Sequence, residues 1–240
     1  MQSHFGDHTN GNRLLAALSD KDLARLRSDL EEVRLENGAI LVDADQRLTH
    51  AYFPHDSVVS LVSLMADGRV AETATIGREG AVGFDLLPNG ATAFNRHAVR
   101  VRGRASRIEF GRMRRAVQDV PGLKLALSRY TQAFVAQVLQ SVACSGLHDV
   151  EARCSRWLLM THDRVGKDSF PLTQEFLAEM LGVHRPTVTV AARTLQRAGL
   201  IRYSRGVVTI VDRVELEKVG CECYGIVRRR FERLLPLTFT

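Results

Sequence analysis

The chain has 240 residues, of which 45% are hydrophobic and 25% charged, and this ordinary globular composition excludes a chain that is mostly disordered. Its length exceeds the usual domain size of roughly 100 to 200 residues, so we expect two linked domains. A net charge of +6 favours polyanionic partners, and the lack of an apolar run of about 18 residues predicts a cytoplasmic protein that does not span a membrane.

The first 120 residues change from helical to β-type sequence. Leucines recur at helical spacing between Asn12 and Val33, with a break at Ser19-Asp20, which predicts two short helices. Short β-rich runs follow from Glu36 to about Phe110 and suggest a small barrel or jelly roll, so residues 1–120 are predicted to form a first, sensory domain. The predicted strands include Ala39 to Val42, Val58 to Leu64, Ala71 to Ile76 and Ala98 to Val101, with turn signals such as Asp67-Gly68, Pro88-Asn89-Gly90 and Gly103.

A long segment without Pro or Gly follows the break at Pro121-Gly122 and predicts a helix over residues 121–146. One stripe of this helix is apolar and wide enough to pair with a second copy. The stripe consists of Leu127, Tyr130, Phe134, Val138 and Val142. We expect a homodimer through this stripe, because a helix that joins two domains has few neighbours in its own chain. Burial within the same subunit is the alternative.

Residues 147–240 are predicted to form the second domain, which begins where Gly146-Leu147-His148 interrupts the long helix. Thr173 is suited to cap a helix that ends at Leu181, and Gly182 suits the left-handed position of a tight turn. Pro186 is tolerated in a first helical turn, so a second helix should start near Arg185. This pattern predicts a helix-turn-helix.

The second of these helices has one buried and one polar face. Val188, Ala192 and Leu195 repeat at a spacing that buries one side. The available residues are Arg185, Thr187, Thr189, Val190 and Arg193. Such a surface fits the major groove of DNA, where arginine can bond guanine, threonine can bond bases or phosphates, and valine can touch a thymine methyl.

A basic hairpin is predicted directly after the second helix. Leu200 to Tyr203 and Val207 to Val211 are β-type runs, and Ser204-Arg205-Gly206 forms the turn between them. This hairpin would be the wing of a winged helix, with Arg205 placed to meet phosphate. The order of capped helix, turn, polar helix and hairpin predicts DNA binding. A ligand-binding regulatory subunit that acts through protein contacts is the alternative function.

With these residues in view, the chain resembles the CRP/FNR family of bacterial transcription regulators. The segments that carry the resemblance are Leu172-Thr173-Gln174-Glu175, Gly182-Val183-His184-Arg185 and Thr187-Val188. It implies an α+β fold with an N-terminal cyclic-nucleotide-binding-like β-roll of the jelly-roll type, a long dimerisation helix and a C-terminal winged helix-turn-helix. The implied partners are palindromic double-stranded DNA, a second copy of the chain and RNA polymerase.

The resemblance also assigns roles to single residues. By the resemblance, Arg185 should read a base, while Thr173, His184 and Thr187 should contact the phosphate backbone. From their own positions, Thr189 and Val190 are added as base-reading candidates, and Gln174, Arg193 and Arg205 as phosphate contacts. Pro186 and Val190 stand where many members have Glu and Arg, so the operator should differ from that of the best-known members.

The sensory half departs further from the cyclic-nucleotide binders. Gly80-Ala81-Val82-Gly83 fills the place of a ribose-binding Gly-Glu pair, and Ala81 cannot accept a bond from a ribose hydroxyl. Arg96 followed by His97 matches a phosphate-binding arginine, with a bulky neighbour in place of a small one. The candidate effector pocket is therefore Gly80, Ala81, Gly83, Arg96 and His97. We do not expect cAMP, and the effector is left unidentified.

The cysteines and histidines suggest no defined metal site. Cys221-x-Cys223 could hold a metal or form a redox pair, but it lacks the second pair that a closed tetrahedral site needs. These cysteines are therefore interpreted as packing residues of a C-terminal helix. Cys144 and Cys154 flank the interdomain break and are also interpreted as buried. No cysteine precedes Cys144, which excludes an iron–sulfur sensor of the family design.

Two further classes of chemistry are considered from the sequence. Single histidines leave haem ligation open. They are His4, His8, His50, His55 and His97. No catalytic motif stands out, so we do not expect an enzyme.

Overall fold

The computed structural model describes residues 11–84 and 92–236, and the fold is α+β as expected. His4, His8 and the predicted turn at Pro88-Asn89-Gly90 lie outside the described residues. Within the described part, no helix has both the length and the hydropathy needed to cross a bilayer.

Two short helices precede the β-roll, as predicted. Helix α1 (Arg13–Ala16) is capped by Asn12 and helix α2 (Asp20–Arg27) by Ser19. The roll then consists of two antiparallel sheets, with strand orders β1-β7-β3 and β2-β6-β4-β5. Its strands are β1 (Glu31–Leu35), β2 (Ile40–Val42), β3 (His50–Pro54), β4 (Val58–Leu64), β5 (Val70–Ile76), β6 (Arg96–Val101) and β7 (Gly103–Glu109).

The four strands named from the sequence are confirmed as β2, β4, β5 and β6. Strands β3 and β7 lie within the predicted β-rich region but were not named individually, and β1 was missed. Strand β1 begins at Glu31, inside the segment predicted as helix. Gly103 was predicted as a turn and instead starts β7, where a side chain would collide with Asp56 and Ser57. Strands β1, β7 and β3 form one sheet. Strands β1 and β7 are rich in charged residues and lack a regular apolar alternation, so their pairing depends on distant partners.

Three helices connect the roll to the second domain. They are α3 (Phe110–Asp119), α4 (Pro121–Leu147) and α5 (Val150–Val165). The long helix therefore extends slightly beyond the predicted range of 121–146. Proline at its first turn leaves no intrahelical hydrogen bond unmade.

The apolar stripe predicted for dimerisation faces the interior of the chain, which corrects that prediction. Leu127, Tyr130 and Phe134 are buried in the core formed with the β-roll, and Val138 packs against it. Of the five predicted residues, Val142 alone is largely exposed, at 68%. The reason is that the roll on one side and the last helix on the other cover the stripe, so α4 has more intrachain neighbours than expected.

The second domain contains the predicted helix-turn-helix and hairpin. Strand β10 lies between β8 and β9 in an antiparallel sheet. The elements are β8 (Ser169–Pro171), α6 (Gln174–Leu181), α7 (Arg185–Arg197), β9 (Ile201–Ser204), β10 (Val207–Ile210), α8 (Arg213–Val219) and α9 (Cys223–Leu234). Strand β8 and helix α8 were not predicted.

The last helix packs back onto the first domain. Val227, Phe231 and Leu235 belong to the same core as Tyr130 of α4. The rings of Tyr130 and Phe231 lie 6.3 Å apart between centroids. The predicted boundary at residue 147 stays a prediction, but α9 belongs to the first domain by its packing.

Buried polar contacts fix the second domain against the roll. Arg164 of α5 donates to Glu79 (2.8 Å) and to Gln137 of α4 (2.8 Å). Both charged side chains of this ion pair are at most 2% exposed. Trp157 donates through Nε1 to Glu72 of β5 at 3.0 Å, and burial raises the pKa of that carboxyl. The two domains thus meet through hydrogen bonds and a buried ion pair as well as an apolar surface, while Glu79 Oε2 has no hydrogen-bond partner among the described residues.

Candidate nucleic-acid interface

Local signals determine the corner between α6 and α7. The Thr173 hydroxyl accepts a hydrogen bond from the Phe176 backbone N–H at 3.2 Å and so caps α6. Gly182 ends the helix with φ of 62°, a conformation that suits glycine. Helix α7 starts at Arg185 with Pro186 in its first turn. The predicted helix boundaries are confirmed at each of these points.

Helix α7 has the two faces expected from its sequence. Its inward side chains are buried in the core of the second domain; they are Val188, Ala191, Ala192 and Leu195. Arg185, Thr187, Val190 and Arg193 are exposed. Val190, at 64% exposure, is an apolar side chain presented to solvent among polar neighbours. This face is therefore available to a partner.

Two candidate residues are already engaged with each other. The Thr189 hydroxyl lies 2.8 Å from Gln174 Oε1, to which it donates, and 3.1 Å from the Arg185 carbonyl. This contact ties the start of α6 to the middle of α7. Arg185 lies beside it, with Nη1 3.7 Å from Glu175 Oε2 in a pair whose side chains are both mostly exposed. Because exposed pairs at this distance are weak, the guanidinium can exchange Glu175 for another acceptor.

The hairpin between β9 and β10 is held tightly beside α6. The Leu172 N–H donates to the Gly206 carbonyl at 2.8 Å, and the Tyr203 hydroxyl donates to the Leu172 carbonyl at 2.5 Å. Burial raises the pKa of Tyr203 to about 12. Arg205 is exposed at the tip, with a positive φ of 47°. The cap residue Thr173 and the basic tip are thus neighbours. His184, which precedes the first residue of α7, is also exposed.

Residues 152–219 match the family of the Crp-like helix-turn-helix domain. The second domain contains a Crp-like helix-turn-helix domain. This match covers the helix-turn-helix and the wing, and it confirms the resemblance that their sequence suggested.

Solved structures extend the likeness to the β-roll and the long helix. FixK2 from Bradyrhizobium japonicum has a TM-score of 0.68 at 15% identity, covering 80% of this chain and 98% of that chain. A CRP-family transcriptional regulator from Thermus thermophilus has a TM-score of 0.64 at 19% identity, with 78% and 96% covered. The c-di-GMP-responsive global regulator CLP of Xanthomonas campestris has a TM-score of 0.62 at 17% identity, with 80% and 99% covered.

These similarities show that the chain has the CRP/FNR fold along most of its length. No curated protein matches the sequence significantly.

Outside the Crp-like domain, the predicted effector residues lie in two different environments. Arg96 is partly exposed and forms a bidentate pair with Asp43, at 2.7 and 3.0 Å. This hydrogen bonding lowers the pKa of the Asp43 carboxyl. His97 points away from that pair and is fully buried, and burial lowers its pKa to about 4. Neither of its ring nitrogens has a hydrogen-bond partner among the described residues.

The predicted ribose-side residues are packed beneath other side chains. Ala81 is fully buried. A side chain at Gly80 would overlap the ring of Tyr130, and one at Gly83, whose φ is 85°, would overlap Leu48. A ligand that reached these backbone positions would have to displace those side chains. The effector pocket stays a prediction.

The structure assembles a cysteine and histidine cluster that the sequence analysis did not find. Cys144 and His148, at the end of α4, meet Cys221 and Cys223 beside the Crp-like domain. Cys144 and Cys221 are 77 positions apart, so no local spacing could have revealed the group. Cys154 is separate, buried in the second core, where desolvation raises its pKa to about 12.

Proposed function

We propose that this protein is a DNA-binding transcription regulator of the CRP/FNR type that binds a two-fold symmetric operator as a homodimer. The exposed face of α7, which starts at Arg185 and lies beside the hairpin tip, carries this proposal. A helix of this kind enters the major groove with its N-terminal residues at the base edges, while the wing contacts the backbone. The net charge of +6 favours the same polyanionic partner.

Within this proposal, Arg185 reads guanine by a bidentate hydrogen bond and Val190 touches a thymine methyl. Thr189 was predicted as a base-reading residue and Gln174 as a phosphate contact. Their mutual bond supports an additional positioning role, because it holds the Arg185 turn against α6. The remaining proposed phosphate contacts are Thr173, His184, Thr187, Arg193 and Arg205.

The outer face of α4 supports the homodimer. Its residues recur at alternating intervals of three and four, the spacing of a two-stranded coiled-coil seam. They are Leu125, Ser128, Gln132, Val135, Leu139 and Val142, and all six are exposed. Two copies joined along this seam would present two α7 helices, as half-sites about 34 Å apart require.

The proposal also includes an unidentified effector in the β-roll, contact with RNA polymerase and a cytoplasmic location. Effector binding has one structural support. His97 is buried in the roll. Its ring nitrogens have no partner within residues 11–84 and 92–236 and could bond to a polar ligand. Native mass spectrometry of the purified protein would show a retained small molecule. Contact with polymerase follows from the resemblance to CRP/FNR regulators.

The decisive experiment is selection of a binding site from random double-stranded DNA, followed by anisotropy titrations on that site and on unrelated DNA. We expect Arg185→Ala to weaken binding to the selected site about 5- to 150-fold, the loss of about 1–3 kcal/mol typical of one bidentate base contact. Binding to unrelated DNA should change little. Arg205→Ala should weaken both and reduce the slope of log affinity against log salt by about 1.

Arg114→Ala is the matched control, since Arg114 is an exposed arginine on α3 outside the Crp-like domain. It should leave both titrations unchanged. The proposal fails if selection enriches no sequence, or if Arg185→Ala binds the selected site as tightly as the parent protein.

A further inference from the structure

Four side chains with metal-binding atoms meet where α4 ends. Cys144 lies in the last turn of α4, and His148 is the residue that follows the helix. Cys221 and Cys223 come from the connection between α8 and α9 and the first residue of α9. The three sulfur atoms and one imidazole nitrogen lie within 4.8 Å of one another. The cysteines are buried and His148 is half-buried, so the cluster is shielded from solvent on most sides.

The spacing of these atoms fits one tetrahedral ion. Zinc binds cysteine sulfur at about 2.3 Å and histidine nitrogen at about 2.0–2.1 Å. A regular tetrahedron with those bonds has sulfur–sulfur edges of about 3.8 Å and sulfur–nitrogen edges of about 3.6 Å. Cys144 Sγ lies 3.5 Å from Cys221 Sγ, and Cys223 Sγ lies 3.6 Å from His148 Nδ1. The donor atoms therefore stand close to the spacing that coordination requires.

Neighbouring residues orient the donors as in known zinc sites. Glu222 Oε2 lies 3.3 Å from His148 Nε2, so the carboxylate can hold the imidazole with Nδ1 facing the cysteines. Gln140 Nε2 donates to Cys223 Sγ at 3.0 Å. Arg153 and Arg156 both interact electrostatically with Cys144, which would balance the single negative charge left by three thiolates and a divalent ion.

We propose that Cys144, His148, Cys221 and Cys223 bind one Zn²⁺ in a closed Cys₃His site. The three thiols release their protons to solvent on binding, and no electron is transferred. Because the protein supplies all four ligands, the site is structural and has no open position for a substrate. The ion would join the two connections by which the chain passes between the domains, one from α4 to α5 and the other from α8 to α9.

The test begins with the full chain expressed with added zinc and purified under reducing conditions. Elemental analysis should find one zinc per chain. After removal of the metal, titration with Co²⁺ should produce thiolate-to-metal charge-transfer absorption and the intense visible bands of a tetrahedral cobalt site, saturating at one equivalent. Zn²⁺ should then displace the cobalt and abolish these bands.

Variants distinguish the four ligands from other cysteines. Cys223→Ser and His148→Ala should each weaken cobalt binding by more than about 10-fold, because loss of a direct ligand should cost at least as much as loss of an outer-shell partner. Cys154→Ser is the control, because Cys154 is equally buried but lies outside the cluster, and it should bind cobalt as the parent does. If a variant fails to fold, the cobalt titration of the parent protein still shows whether the chain binds one metal ion.

Two results would overturn the proposal. One is a reduced parent protein that contains no zinc and gives no cobalt bands. The other is a parent protein isolated with a Cys144–Cys221 disulfide and no metal, which would make the pair a redox element instead. Neither result bears on DNA binding, because the metal site and the α7 surface are tested on different residues.

Discussion

The two faces of α4 carry similar apolar side chains but lie in opposite surroundings. On the inner face, Tyr130 and Phe134 are at most 9% exposed, enclosed by the β-roll and α9. On the outer face, Val135 and Leu139 are 49% and 65% exposed. Hydrophobicity alone therefore does not tell which side of a long helix faces its own chain. The alternating intervals of three and four residues on the outer face are what indicate a partner helix there.

Polar residues separate the two faces more clearly. The inner face contains Gln137, which is 1% exposed and bonds both to Arg164 and to the Thr75 carbonyl. The outer face contains Ser128 and Gln132, which are exposed to solvent. A buried amide must be matched by specific partners, whereas an exposed one is satisfied by water. The stability of the single chain should thus be sensitive to single substitutions on the inner face and little affected by those on the outer face.

The largest effect is expected when Arg164 is removed from the inner network. Arg164→Met leaves the Glu79 carboxylate buried without its partner, which should lower the free energy of unfolding by about 3–5 kcal/mol. Urea denaturation measures this loss. The matched control is Arg112→Met, which breaks an exposed pair with Asp29 and should cost at most about 1 kcal/mol. Equal losses in the two variants would contradict the contrast between buried and exposed pairs.

Acidification should destabilise the β-roll, against which the inner face of α4 packs, because His97 is buried there. Burial lowers the pKa of His97 to about 4, whereas the unfolded chain titrates near 6.5, so the unfolded chain binds more protons between these values. Stability is therefore complete above about pH 6.5 and is lost as the pH falls toward 4. Between pH 7 and 5, His97 should contribute a loss of about 2 kcal/mol.

His97→Leu should remove this pH dependence in urea denaturation at the two pH values. His50→Leu, on strand β3, controls for the loss of a histidine as such. A parent and a His97→Leu variant with the same pH dependence would refute the assignment. The proposed seam on the outer face has no titratable side chain, so dimerisation through it should not follow this transition.

The smallest effect on the folded protomer is expected on the outer face. Leu139→Lys should change the stability of the single chain by no more than about 0.5 kcal/mol, because Leu139 is exposed. The same substitution should dissociate the dimer, since it places a charge in an apolar seam, and sedimentation velocity would show the halved mass. Val214→Lys, equally exposed on α8, should leave the mass unchanged. An intact Leu139→Lys dimer would exclude this seam.

The sequence predicted the helix-turn-helix well because its boundaries depend on neighbouring residues. Thr173, Gly182 and Pro186 each fix backbone geometry within a few positions, and the observed helices begin and end as these residues indicate. The roles of the DNA-facing residues stay predictions.

Features that depend on distant parts of the chain were less predictable. In the sheet of β1, β7 and β3, Glu31 pairs with Arg107, which is 76 positions away. The inner face of α4 is buried partly by α9, which lies far along the chain. Cys144 likewise contacts Cys221, which is 77 positions away. Local propensity and spacing do not encode such pairings.

The return of α9 to the first domain has a consequence for biosynthesis. Val227, Phe231 and Leu235 complete a core whose other buried residues lie between Leu14 and Phe134. A nascent chain therefore cannot finish that core until Leu235 has left the ribosome. A fragment that ends after α4 would expose the apolar surface that α9 covers, so the sensory half should aggregate when it is expressed alone.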